Sequence, residues 1–169
     1  MNIRAMTPDD GAAVVDVYYR GLQSGHASFQ ENAGTWSDWD QGHLDVCRLV
    51  ACDGNGRICG WAGLSGVSGR CVYQGVGEIS VYVDPDSQGR GIGNMLLASL
   101  IAQSEQNGFW SLEAGIFPEN QASIALHQKH GFDIVGRKRG LGRMNYGPMA
   151  GQWRDVMVLQ RRSEIVGIE

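Results

Sequence analysis

Val81-Tyr82-Val83-Asp84-Pro85-Asp86-Ser87-Gln88-Gly89-Arg90-Gly91-Ile92-Gly93-Asn94 runs from an apolar strand through a proline-marked turn into a glycine loop and the start of a helix. The strand side is legible because Gly77 to Val83 alternates, with Glu78, Ser80 and Tyr82 on one face and Ile79, Val81 and Val83 on the other. The helix side is legible because Ile92, Leu96, Leu97, Leu100 and Ile101 share one face of a segment that Gly108 closes. This order aims consecutive backbone N–H groups and the positive end of a helix at one point, where an anion belongs. Glycine lets phosphate oxygens approach the main chain with no Cβ in the way, and Arg90 adds a charge-assisted hydrogen bond. A nucleotide P-loop needs G-x-x-x-x-G-K-[ST], which the chain lacks. A dinucleotide fingerprint needs G-x-G-x-x-G, whereas the glycines here read G-x-G-x-G. Glu113 lies 20 residues beyond Gly93, the distance of a ribose-binding acid, but sits inside a strand pattern. Spacing alone leaves a phosphate cradle, a variant dinucleotide loop and a plain structural turn.

Upstream of the loop, Ile3 to Ala5 reads as a short strand. Thr7, Pro8 and Asp10 form a helix start for a helix reaching about Gly21. Ser24 to Thr35 reads as a loop around Phe29, and Trp36 to Val46 as a short second helix. Leu49 to Cys52 and Ile58 to Leu64 flank Asp53-Gly54-Asn55-Gly56, a hairpin signal. Downstream, Ser111 to Phe117 reads as a strand, Asn120 to His130 as a helix closed by Gly131, and Phe132 to Arg137 and Arg154 to Gln160 as closing strands. The order β-α-α-β-β-β-α-β-α-β-β, without repeats or a linker, predicts one α/β (α+β) domain over residues 1–169.

At 43% hydrophobic and 19% charged residues, the chain has no apolar run near the roughly 18 to 20 residues a membrane helix requires. Its start lacks the features of a secretory signal, so a cytoplasmic protein without membrane association is expected. A net charge of −4 argues against a nucleic-acid partner and for small molecules. Cys47, Cys52, Cys59 and Cys71 form no C-x-x-C pair, so buried structural thiols are expected and no metal site.

Gln88-x-x-Gly91-x-Gly93 after Val81-Tyr82-Val83 is similar to the acyl-CoA signature of the GNAT acetyltransferase superfamily. The element order matches that fold over nearly the whole chain. The sequence further resembles the phosphinothricin and methionine sulfoximine acetyltransferase family, in Ala27-Ser28-Phe29, Arg70-x-x-Tyr73, Glu78-x-x-Val81-Tyr82-Val83, Asn120 with Leu126-His127-Gln128-Lys129, Gly131-Phe132, and Gln152-Trp153-Arg154-Asp155-Val156. The resemblance implies a mixed, mostly antiparallel sheet of about seven strands flanked by about four helices.

It also implies acetyl-CoA as co-substrate. Val81, Tyr82 and Val83 would hold the pantetheine arm, Gln88, Gly89, Arg90, Gly91, Ile92, Gly93 and Asn94 the pyrophosphate, and Asn120 and Lys129 the coenzyme farther along. Glu78 occupies the family's carboxylate position and would serve as base. His127 matches a family histidine near the thioester and would act as a second catalytic residue, donating to the departing thiolate, at a position where many superfamily members carry a tyrosine. Phe29, Arg70, Tyr73 and Glu78 would contact a small amine, with Arg70 and Tyr73 gripping a carboxylate. Methionine sulfoximine, methionine sulfone or phosphinothricin is the implied acceptor, with another amine, such as a protein N-terminus, a polyamine or an antibiotic, or a non-catalytic acyl-CoA-binding module as alternatives. A homodimer is implied, with Trp153 and Arg137-Lys138-Arg139 near its interface. The chain departs from the family at Gln30, where an acid is common, and at the small residues Ser65 to Gly69.

Overall fold

The computed structural model describes residues 1–169 as β1 (Asn2–Ala5), α1 (Gly11–Leu22), α2 (Trp36–Gly42), β2 (Leu49–Cys52), β3 (Ile58–Gly66), β4 (Val76–Val83), α3 (Ile92–Gln106), β5 (Ser111–Ile116), α4 (Gln121–Lys129), β6 (Asp133–Arg143) and β7 (Trp153–Arg162). The seven strands form one sheet in the order β1-β2-β3-β4-β5-β7-β6. Only β4 and β5 run parallel; every other pairing is antiparallel. This is the GNAT arrangement implied by the resemblance.

Two helices cover each face, and alternation along the strands decides what each face buries. Ile92, Leu96, Leu97, Leu100 and Ile101 of α3 pack against Leu49, Ala51, Ala62, Leu64, Ile79 and Leu159, and Val81 and Val83 join them. On the other face Val14 and Val17 of α1 and Trp39 of α2 pack against Val50 and Trp61, with Tyr82 alongside. Successive residues of β4 therefore serve different layers.

Three boundaries differ from the sequence reading. The first turn at Pro8–Asp10 is a 3₁₀ turn. Asp10 accepts there from the Thr7 N–H (2.8 Å) and from Arg4 (2.7 Å) before α1 begins. Helix α2 stops at Gly42 instead of Val46, because the Leu44 N–H pairs with the Leu64 carbonyl (2.8 Å) and Arg48 ties the carbonyls of Asp40, His43 and Leu44. Strand β6 runs six residues beyond Arg137, past an irregularity between Lys138 and Gly142 in its register with β7. Of the four cysteines Cys47, Cys52 and Cys59 are buried, while Cys71 is exposed.

Candidate active site

Strands β4 and β5 pair only at Val76↔Ser111, Gly77↔Leu112 and Glu78↔Glu113. Beyond Glu78 they part, since β4 keeps its pairing with β3 through Val83 while Ala114 to Ile116 pair only with β7. The sheet thus opens into a wedge above Glu78. The Asp84 N–H donates to the Cys59 carbonyl of β3 (2.9 Å), so by the period-2 rule the main-chain groups of Val83 and Val81 face the wedge. Buried strand edges rarely lack a partner, and this one is a slot for an extended chain.

At the top of the wedge the glycine loop turns into α3. Gly89 and Gly91 hold φ of 75° and 74°, in the left-handed region that favours glycine, with open space where a Cβ would stand. None of the six N–H groups from Gly89 to Asn94 has an acceptor in the protein; the first to be bonded is that of Met95, to the Gly91 carbonyl at 3.1 Å. Gly93 lies against Leu126 of α4 and Val83, where an added Cβ would sit 3.3 Å and 3.7 Å from their side chains. Gln88 and Arg90 are exposed at the rim, and Ile92 is buried beneath it. The loop is anchored from below by Asp84, 1% exposed, which pairs with Arg20 (2.6 Å) and Arg57 and accepts from the Asp86 N–H (3.1 Å). Six unsatisfied donors at a helix start, with Arg90 beside them, are suited to an anion.

The other face of the wedge carries Glu78, Ser80 and Tyr82. Glu78 is exposed and makes no hydrogen bond or ion pair within the chain. The Tyr82 ring stacks on Trp61 (4.9 Å) and meets Tyr18 edge-on (4.8 Å), and burial pushes its ionisation far upward, so its hydroxyl stays protonated. Arg70 and Tyr73 stand in the loop after β3, both exposed, the guanidinium 5.6 Å from the ring centre. Tyr73 lines an open cavity of about 560 Å³ that crosses this face of β4, β5 and β7. Phe29 meets Phe117 edge-on (5.0 Å), and Gly142 lies so close to it that a Cβ there would sit 2.8 Å from its ring.

The profile of the acetyltransferase (GNAT) family matches residues 15–132. The chain belongs to the GNAT acetyltransferase family. It is 30% identical over 171 residues to the L-amino acid N-acyltransferase MnaT of Escherichia coli (strain K12), covering 95% of this chain and 92% of that protein. It is 31% identical over 164 residues to the phosphinothricin N-acetyltransferase of Alcaligenes faecalis, covering 94% and 81%. The crystal structure of a GNAT superfamily phosphinothricin acetyltransferase from Sinorhizobium meliloti in complex with acetyl-CoA superposes with a TM-score of 0.86 at 26% identity, covering 99% of this chain and 91% of that one.

This GNAT acetyltransferase takes acetyl-CoA as its co-substrate, and the remaining coenzyme candidates lie around α4. Asn120 caps that helix, its side chain accepting from the Ser123 N–H (3.2 Å), while Lys129 is exposed at the other end. Asn94 accepts from His130 (2.9 Å), tying the loop to α4. His127 is buried: its Nδ1 lies 2.7 Å from the Ser123 carbonyl, its ring meets Phe132 edge-on, and burial lowers its pKa. Its Nδ1 is engaged by the main chain, and its Nε2 has no partner within the chain.

Several residues of the site carried no sequence signal strong enough to single them out. Arg154 is buried, stacks 3.6 Å from the Phe117 ring centre and bonds the Gly25 carbonyl (2.6 Å), His26 (3.1 Å) and Glu119 (3.2 Å), which fixes the loop bearing Phe29. Tyr146 clamps the same loop through the Ser28 carbonyl (2.8 Å). The Asp-Pro pair after β4 hinted at Asp84, because an acid there caps the turn through its own side chain.

Proposed function

We propose that the enzyme acetylates the α-amine of a free amino acid or amino-acid analogue, of the kind represented by methionine sulfoximine, methionine sulfone and phosphinothricin. The observation that carries this reading is the position of Glu78 at the foot of the wedge, exposed on the same sheet face as the cavity that Tyr73 lines.

Bound acetyl-CoA supplies a thioester-activated acetyl group. The chain's part begins with placement: the N–H groups of Gly89 to Asn94, with Arg90, take the pyrophosphate, and the main chain of Val81 and Val83 holds the pantetheine arm as an added strand. Backbone donors fixed before the substrates arrive stabilise charge without reorganising. Arg70 grips the acceptor's carboxylate, Tyr73 and Phe29 bound its side chain, and the α-amine then faces Glu78, which receives the proton the ammonium must lose. His127 stands beside the thioester in this reading, its Nδ1 engaged by the Ser123 carbonyl and its Nε2 left to meet the departing thiolate.

Support for α-amino acids comes also from the similarity to proteins named for L-amino acid and phosphinothricin acylation. Steady-state thiol release with a panel of free amino acids and analogues tests the reading. Acetylation of an α-amine is expected, and inactivity on every α-amino acid refutes it. Arg70→Ala is expected to raise KM strongly for zwitterions only, which separates this reading from acetylation of a protein N-terminus, polyamine or antibiotic amine.

A homodimer in the cytoplasm belongs to the same proposal. Edge strand β6 is exposed along nearly its whole length, and Trp153 beside it on β7 is 67% exposed. Sedimentation decides between dimer and monomer. No helix is long and apolar enough to cross a membrane.

A further inference from the structure

An imidazole stands just past the end of α2, on the sheet face that carries Glu78. His43 is half-buried; its ring stacks on Trp39 (centres 4.0 Å apart, planes 14° apart) and meets Trp61 edge-on (5.5 Å), and its Nδ1 lies 2.7 Å from the Trp39 carbonyl. A carbonyl oxygen only accepts, so Nδ1 carries the proton of that bond and the neutral ring keeps its lone pair on Nε2. Nε2 has no partner within the chain.

Gly63 lets the ring rest directly on β3, since a Cβ there would sit 3.2 Å from Cδ2 of His43 and 3.5 Å from the Trp39 ring. In the register with β4, Gly63 lies opposite Ser80 and Ser65 opposite Glu78. Ser65 donates to the Gly42 carbonyl (2.9 Å), which pins the end of α2 beside Glu78. The imidazole therefore stands one strand away from Ser80, about 6.5 Å above the level of Glu78 in the direction in which the wedge opens. The charged and titratable groups around it are Arg48, which bonds the His43 carbonyl and pairs with Asp40 and Asp45; Tyr18 of α1 and Tyr82 of β4, both kept protonated by burial against Trp61; and Glu78. Burial lowers the pKa of His43, with the Trp39 carbonyl opposing and Arg48 adding to the effect, so the ring is mainly neutral from about pH 6.5 upward.

We infer that His43 is a further catalytic residue on the acceptor side, whose Nε2 takes the second of the two protons that acetylation removes from the amine. This rests on the reading above, in which Glu78 receives the first. The ammonium gives that first proton to Glu78 and becomes a nucleophile. Once the N–C bond has formed and the C–S bond breaks, with its electron pair going to sulfur, the nitrogen still holds one proton too many, and a carboxylate already protonated does not take it. Nε2, on the thioester side of Glu78, takes it and passes it to solvent. Of the two protons one ends on the coenzyme thiol and one in water, which balances an ammonium and a thioester against an amide, a thiol and a proton.

The experiment uses the best acceptor of the amino-acid panel and compares the parent with His43→Phe, which keeps the stack on Trp39, and His43→Ala, which opens it. His43→Phe is expected to lower kcat about 100-fold near neutral pH with the KM for acetyl-CoA unchanged, and the deficit is expected to narrow in alkaline buffer as hydroxide takes over the proton. Added imidazole is expected to restore about tenfold of the rate of His43→Ala and nothing to His43→Phe. A loss below about threefold in folded His43→Phe, or a loss that is the same at every pH and unmoved by imidazole, overturns the role, because the ring would then only pack. Either result leaves acetylation of α-amines standing, whereas a parent inactive on every α-amino acid removes both. Should the variants fold poorly, nitrogen NMR of the histidines in the parent decides: Nε2 of His43 is expected to be unprotonated at neutral pH and to change its titration when acceptor and coenzyme A bind together, and a protonated or unmoved Nε2 overturns the inference.

Discussion

Replacing Gly89 and Gly91 together by alanine separates what the glycine loop does for the fold from what it does for the coenzyme. Both positions have open space where a Cβ would stand, so no clash is introduced. Both hold φ near +75°, where an L-residue costs about 1 kcal/mol or slightly more. If the loop keeps its shape, the double variant loses about 2 kcal/mol of stability, or about 4–8 °C in Tm for a chain of this length. If the loop instead rotates out of the left-handed region, N–H groups between Gly89 and Ile92 turn away from the cradle. Losing two charge-assisted N–H bonds, at about 1.5–3 kcal/mol each, then raises the KM for acetyl-CoA by roughly 100-fold or more. The decisive control is acetyl-pantetheine, which transfers the same acetyl group but has no pyrophosphate. Steady-state rates with both donors are expected to show the variant impaired with acetyl-CoA and close to the parent with acetyl-pantetheine. An equal loss with both donors refutes the assignment, because the loop would then act through the wedge rather than through the diphosphate.

Asp84→Asn removes a buried carboxylate from two partly exposed arginines; a loss of about 1–3 kcal/mol in urea denaturation is expected, with a several-fold rise in the KM for acetyl-CoA as the loop loosens. Gly142→Ala drives a Cβ toward the Phe29 ring and should raise the acceptor KM while leaving that for acetyl-CoA unchanged. His43, His127 and His130 are all held below the ordinary imidazole value by burial, so the unfolded chain binds more protons than the native one. Stability should therefore be full above about pH 6.5 and decline as the pH falls below it, as thermal melts between pH 7.5 and 5 will show. Ellman's reagent should titrate one thiol in the native protein and four after denaturation, because Cys71 alone is exposed and burial pushes Cys47 up to about 11.

The fold was legible where chemistry is local. Alternation in β4, the helical face of α3, the Asp-Gly hairpin and the glycine caps are each written in neighbouring residues, and all of them stand in the structure. Boundaries set by distant partners were not legible. Helix α2 ends early because Arg48 collects its last carbonyls, and β6 continues because β7 offers it ladder partners through Arg143. The glycine loop was likewise a local feature, down to the positive φ of Gly89 and Gly91. The acceptor side depends on contacts between residues far apart in sequence: Arg154 reaching Gly25, Tyr146 reaching Ser28, and Glu78 standing beside Glu113. No periodicity or spacing marks such a pair; only the strand register does.

That register also divides the labour of the reaction within one strand. In β4 the main-chain groups of Val81 and Val83 face the wedge while the side chains of Glu78, Ser80 and Tyr82 point to the sheet face that carries α1 and α2. In the reading proposed above, the acetyl donor is held by groups every residue possesses, and the acceptor is judged by side chains that can change freely. In that reading a substitution at Glu78 changes how fast the amine reacts, yet leaves the slot for the pantetheine arm as it was. Conversely, a proline at Val81 would delete an N–H that faces the slot while leaving the β3 ladder intact, since that ladder uses the groups of Ser80 and Tyr82. Val81→Pro is therefore expected to weaken acetyl-CoA binding in calorimetry more than the conservative Val81→Ile, with the acceptor preference of any residual activity unchanged. Unaltered coenzyme affinity in a folded Val81→Pro protein would show that the wedge is not the slot.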